Sequence, residues 1–117
     1  MSVRIYHNPR CSKSREALAL LQAQGLSPEV VEYLKTPPGL AELQQLQRQL
    51  GLPARELLRS GEAEYQALGL ADPGLAEQAL LEAIAAHPVL LQRPIVVRDE
   101  RAVIARPAER LLALLAP

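Results

Sequence analysis

The chain has 117 residues, enough for one domain around one core, and its thirteen basic residues are balanced by thirteen acidic ones. Balanced charge gives no global field to recruit nucleic acid or an anionic membrane, and three tyrosines without tryptophan or phenylalanine leave few platforms for stacking bases. No segment approaches the roughly eighteen apolar residues of a membrane span, the N-terminus lacks the apolar core of a signal peptide, and a lone cysteine suits a reducing compartment, so the expected location is the cytoplasm.

Val3 to Tyr6 is a short β-branched and aromatic run that suits a strand, ended by the turn signal Asn8-Pro9. From Cys11 the apolar spacing changes to three and four, through Ala17, Leu18 and Leu21, which predicts a helix stopping at Gly25. Glu29 to Leu34 reads as a second strand. Strand, helix and strand at this length form a βαβ unit with parallel strands. Thr36-Pro37-Pro38-Gly39 breaks the chain, and Leu40, Leu43, Leu46 and Leu50 then mark a helix ending at Gly51. Shorter helical patterns follow at Ala54 to Arg59 and Glu62 to Leu68. Asp72-Pro73-Gly74 reads as the cap of another, running to His87-Pro88. Residues from about 37 to 91 thus form a helical insertion, with helices too short to share a separate core. Gln92 to Val97 and Ala102 to Ala105 form a hairpin around the charged turn Arg98 to Arg101, and Arg106-Pro107 opens a terminal helix with Leu111, Leu112 and Leu115 inward.

The only cysteine therefore sits where a strand hands over to a helix. A first helical turn offers unpaired N–H groups and the positive end of the macrodipole, both favouring an anion. Arg10, Lys13 and Arg15 flank the sulfur, and His7 precedes it on the entering loop. Thiols in such settings ionise well below the usual value of about 8.5, so Cys11 is the expected nucleophile. Three further arginines, Arg59, Arg93 and Arg106, stand at element boundaries, where side chains reach a cleft more readily than from mid-helix. No cluster has metal-ligand spacing, so no metal is expected.

His7-Asn8-Pro9-Arg10-Cys11 with Ser14-Arg15 resembles the active-site loop of the ArsC-type, glutaredoxin-linked arsenate reductases, and the resemblance runs over almost the whole chain. One local departure is Ser12-Lys13, where the best-known members carry Gly-Thr; the Cys-Ser-Lys-Ser-Arg pattern resembles an arsenate-reductase-like branch. The resemblance implies an α/β thioredoxin-like fold over residues 1–117, with the helical insertion between its β-α-β and β-β-α halves. It implies that Cys11 attacks arsenate held by Arg59, Arg93 and Arg106, with His7 and Ser14 stabilising the thiolate and Asn8, Arg15 and Pro94 supporting the loop, Pro94 as the cis proline of such folds. No second cysteine exists to resolve the adduct, so an external thiol must. By resemblance that is glutathione as co-substrate followed by glutaredoxin, with no bound cofactor and arsenic detoxification as the role. One core accounts for the leucines, which points to a monomer.

Two other readings stay open. A glutathione-dependent thiol oxidoreductase would use the same Cys11 on a substrate other than arsenate. Spx-type regulators share the fold and bind RNA polymerase; they commonly carry Cys-x-x-Cys here, whereas this chain has Ser14 at the second position.

Overall fold

In the computed structural model, which describes residues 2–116, the β-branched run Val3–His7 forms strand β1 and the leucine-alanine stretch Ser12–Ala23 forms helix α1. Gly25 follows the helix at φ 81, a left-handed conformation that a side chain would strain. Strand β2 (Glu29–Glu32) lies parallel to β1, with Ile5 opposite Val30. It stops two residues short of the expected Leu34, because the Glu32 carbonyl accepts hydrogen bonds from the N–H groups of Lys35 and Thr36 and turns the chain. Strands β3 (Ile95–Arg98) and β4 (Arg101–Ile104) form the hairpin, β3 pairs antiparallel with β1, and the sheet order is β2-β1-β3-β4. The hairpin turn is Asp99-Glu100, shorter than the sequence suggests, with Asp99 at φ 54.

Helix α5 is Arg110–Leu115, so Arg106-Pro107 does not open it; the residues between form a separate turn closed by Arg110 N–H to the Pro107 carbonyl at 3.1 Å. Leu111 and Leu114 are buried and Leu115 packs half-buried against the same core, while Leu112 is exposed. These pack with Val3, Ile5, Ala17, Leu21, Val96 and Ala105 into one core, beneath which α1 and α5 cover the sheet. Full burial of side chains such as Ile5 and Leu21 is worth roughly 1.5–3 kcal/mol each.

The chain divides into two compact units, one built from residues up to Thr36 and from Arg93 onward, the other from Pro37–Gln92. The second holds α2 (Leu40–Leu50), α3 (Ala63–Ala67) and α4 (Glu77–Ala86), with 3-10 turns at Ala54–Leu57 and Pro88–Leu90. Helix α4 packs on α2 and on both turns. The Glu77 carboxylate accepts from Ala54 N–H at 2.6 Å, and the Arg55 guanidinium donates to the carbonyls of Leu70 and Asp72. Asp72 is not a helix cap: its carboxylate accepts from Gly74 N–H at 2.8 Å in a local turn, and α4 begins five residues later behind Ala76. Paired hydrogen bonds, Arg59 N–H to the Leu90 carbonyl and Gln92 N–H to the Leu57 carbonyl, join the segment after the first 3-10 turn to the unit's C-terminal end. Among the described residues no helix is long and apolar enough to cross a membrane.

Candidate active site

Sheet register decides which residues can meet. His7 pairs with Glu32 across the parallel strands, Tyr6 with Ile95, and Ile95 with Ile104. The ends of β1, β2 and β4 and the start of β3 therefore lie along one edge of the sheet. The loop carrying Cys11, Arg93 and Arg106 all stem from that edge.

The loop between β1 and α1 is fixed by its own backbone. Asn8 accepts twice, through its carbonyl from Cys11 N–H and through Oδ1 from Arg10 N–H, each at 3.0 Å. Arg15 reaches back from α1 and donates to the Pro9 carbonyl at 2.9 Å, which ties the loop to the helix. Beneath lies a buried pair in which Ser14 Oγ sits 2.6 Å from His7 Nδ1 and accepts from Asn8 N–H at 3.0 Å. Burial, more than anything else, pushes the His7 pKa down; Glu32 opposes that in part and Arg15 adds to it. His7 Nδ1 and Ser14 Oγ share one hydrogen bond, whose direction the imidazole tautomer sets.

Cys11 is the N-cap of α1 with an extended backbone, and it is half-buried. Burial pushes the thiol up, but the Ser14 backbone N–H, the Arg93 charge, the Lys13 N–H and a hydrogen bond from Arg93 together outweigh it. The pKa is lowered below that of an ordinary thiol. Two features of this arrangement differ from the sequence expectation. Ser14 serves the sulfur through its backbone N–H, because its hydroxyl is taken by His7 and Asn8. The cation at the sulfur is Arg93 from the start of β3, whereas Arg10 is exposed, Lys13 pairs with Glu16 at 3.9 Å and Arg15 is turned to Pro9.

Arg93 carries the clearest sign of an anion site. Its Nε and Nη1 are buried without a hydrogen-bond partner among the described residues. An unsatisfied buried donor costs about 1–3 kcal/mol, and a tetrahedral oxyanion beside Cys11 offers acceptor oxygens to such a guanidinium. The Arg93–Pro94 peptide is cis, and Pro94 is buried. Arg106 follows β4 with an exposed side chain that makes no hydrogen bond to another described residue; its bond to Pro107 is also cis. Arg59 belongs to the other unit, where its guanidinium holds Glu62 at 2.9 Å.

The sequence reading missed Glu32, Leu34 and Lys35, which line a cavity of about 250 Å³ together with His7, Asn8, Pro9 and Arg10. The signal for them was available: in a βαβ unit the residues just past both strands emerge at the same edge, where ligands commonly bind.

The sequence model of the ArsC family matches residues 6–114. Over 114 residues the chain is 51% identical to an arsenate reductase of Neisseria meningitidis serogroup A, covering 97% of each protein. It is 52% identical over 113 residues to the uncharacterized Escherichia coli protein YfgD, covering 96% of this chain and 95% of that one. An arsenate reductase of Vibrio cholerae superposes with a TM-score of 0.94 at 51% identity, over 97% of each chain.

Proposed function

This chain belongs to the ArsC family, and from that premise we propose that it reduces arsenate to arsenite through Cys11. The observation that carries the proposal is the pairing of a thiol whose pKa is lowered with an arginine whose buried Nε and Nη1 lack partners. The Cys11 thiolate attacks arsenic and displaces one oxygen as water, forming a sulfur–arsenic bond with arsenic still As(V). Arg93 offsets the repulsion between two anions and steadies the charge that develops on the oxygens. Arg106 and Arg59 are assigned the remaining oxyanion contacts.

Two external thiols then supply two electrons. They leave as one disulfide, arsenic departs as arsenite, As(III), and Cys11 is regenerated. An external source is required because the chain holds no second cysteine. We assign glutathione and then glutaredoxin to it, which puts the enzyme in the reducing cytoplasm, as a monomer with no bound cofactor. His7 and Ser14 hold the loop so that the α1 N–H groups face the sulfur, while Asn8, Arg15 and Pro94 support it.

The test is arsenate-dependent NADPH consumption by the purified protein with glutathione, glutaredoxin and glutathione reductase. Turnover that disappears in Cys11→Ser supports the proposal. Reduction of mixed disulfides without any response to arsenate would instead identify a thiol oxidoreductase using the same sulfur.

A further inference from the structure

One charged group beside the loop has no part in the proposed mechanism. Glu32 ends β2, and the parallel register sets it opposite His7 at the end of β1. Its main chain is fixed there, since the Glu32 carbonyl accepts from the N–H groups of Lys35 and Thr36 at 2.9 Å each. Among the described residues no hydrogen bond joins the Glu32 carboxylate to the His7 ring, so it acts by charge. It favours the protonated ring, while burial and the Arg15 guanidinium from α1 oppose it. Lys35 Nζ lies 3.5 Å from Glu32 Oε1 and offsets part of that charge. Arg93, from the start of β3, bears on Cys11, the remaining titratable group of the loop.

Proton counting shows what the ring's state does to the loop. Ser14 Oγ has one proton and two acceptor places. Asn8 N–H takes one place at 3.0 Å, and His7 Nδ1 stands at 2.6 Å. With no proton on Nδ1, Ser14 donates to it, and the bonds run head to tail from Asn8 N–H through the hydroxyl to the ring, each polarising the next. A protonated ring carries protons on both nitrogens, so Nδ1 must donate and one oxygen must serve two donors. The bond from Asn8 N–H then weakens. Asn8 also holds the nucleophile, because its carbonyl accepts Cys11 N–H at 3.0 Å.

We propose that Glu32 is a positioning residue for Cys11, acting through His7 to set the direction of the His7–Ser14 hydrogen bond, with Lys35 as its moderator. The assignment rests on the reading of Cys11 as the nucleophile. Glu32 draws the pair toward the reversed direction, and Lys35 and Arg15 hold it in the head-to-tail one. The Glu32 side chain is 39% exposed, so its pull is screened by salt.

The His7 ring and the Asn8 amide are followed by nitrogen-15 NMR from neutral to acidic pH, in a Cys11→Ser background where no thiol titrates. The neutral ring should show Nδ1 without a proton. The His7 midpoint should move down in Glu32→Gln, move up in Lys35→Gln and stay near the parent value in Glu32→Asp, with the Asn8 amide following each midpoint. The displacement in Glu32→Gln should shrink at about 1 M salt, where charges are screened within about 3 Å. A midpoint that neither variant moves, a proton on Nδ1 of the neutral ring, or an Asn8 amide that ignores the ring overturns the proposal. With Cys11 restored, the inflection of its alkylation by iodoacetamide should move in Glu32→Gln and Lys35→Gln, but not when either is combined with His7→Asn. Equal displacement with and without His7 would show a direct field on the sulfur and overturn the role through His7. Turnover separates this proposal from the arsenate reading. If arsenate is reduced while the midpoints stay in place, the role of Glu32 is refuted and the arsenate reading survives. If midpoints and alkylation move as expected but arsenate is inert, the arsenate reading fails and the role of Glu32 stands.

Discussion

His7 Nδ1 and Ser14 Oγ lie 2.6 Å apart with both side chains buried, one at the end of β1 and the other in the first turn of α1. This contact links strand to helix across the loop that carries Cys11. Ser14 faces two ways: its hydroxyl joins His7 and Asn8, and its backbone N–H favours the Cys11 thiolate. In the proposed mechanism the role of histidine and serine is therefore to fix the backbone that approaches the sulfur.

Replacing Ser14 with alanine leaves a buried His7 nitrogen and the Asn8 N–H unpaired but keeps the N–H that faces Cys11. Stability should fall by about 1–3 kcal/mol in denaturant titrations. The Cys11 alkylation inflection should move less than it does in Arg93→Gln. A larger move in Ser14→Ala would contradict the assignment to the backbone.

His7 also makes stability depend on pH. Its folded pKa is lowered, chiefly by burial, so below the unfolded value of about 6.5 the unfolded chain binds a proton that the native one refuses. The stability His7 contributes is present above that pH and is lost as pH falls through the folded value. Chemical denaturation between neutral and mildly acidic pH should show a steeper loss in the native protein than in His7→Asn, which keeps an acceptor and removes the titration. Parallel pH curves would exclude His7 as the source.

Arg93 gives two separable predictions. Arg93→Gln removes the charge that lowers the Cys11 pKa, so the alkylation inflection should rise toward that of a free thiol. Arg93→Lys keeps a charge but loses the planar fork, and arsenate kcat/KM should fall on the order of 10²-fold, the scale of losing one oxyanion donor. Normal turnover by the lysine variant would refute the fork.

Arg106 is exposed and is not among the groups that shift Cys11. Arg106→Ala should therefore weaken arsenate turnover, with KM the quantity to watch, and leave the alkylation profile in place. Arg59→Ala should also lower arsenate kcat/KM if Arg59 binds the oxyanion. An unchanged value would mean that its ion pair with Glu62 is its whole role.

Much of the molecule could be read from the sequence because its signals are local. The change of period between Tyr6 and Ala17 located β1, the loop and α1, and Arg93-Pro94 marked the entry to β3. Boundaries failed where side chains or turns compete with the helix or strand. The Asp72 carboxylate took a turn N–H at Gly74, Glu32 ended β2 early, and the segment after Arg106 turned once more before α5 began. At the site, residue types were legible but directions were not. Sequence shows that Ser14 has a hydroxyl; it does not show that the hydroxyl is spent on His7 while the amide serves the sulfur. Neighbours in sequence, Arg10, Lys13 and Arg15, looked like the stabilising cations, whereas the one that acts is Arg93, delivered by antiparallel pairing of β1 and β3.

The most direct test is the pH dependence of Cys11 alkylation by iodoacetamide in the native protein, followed by mass spectrometry. An inflection clearly below the roughly 8.5 of a free cysteine, moving upward in Arg93→Gln, is the predicted result. An inflection at or above that of a free thiol, unmoved by Arg93, would contradict the account.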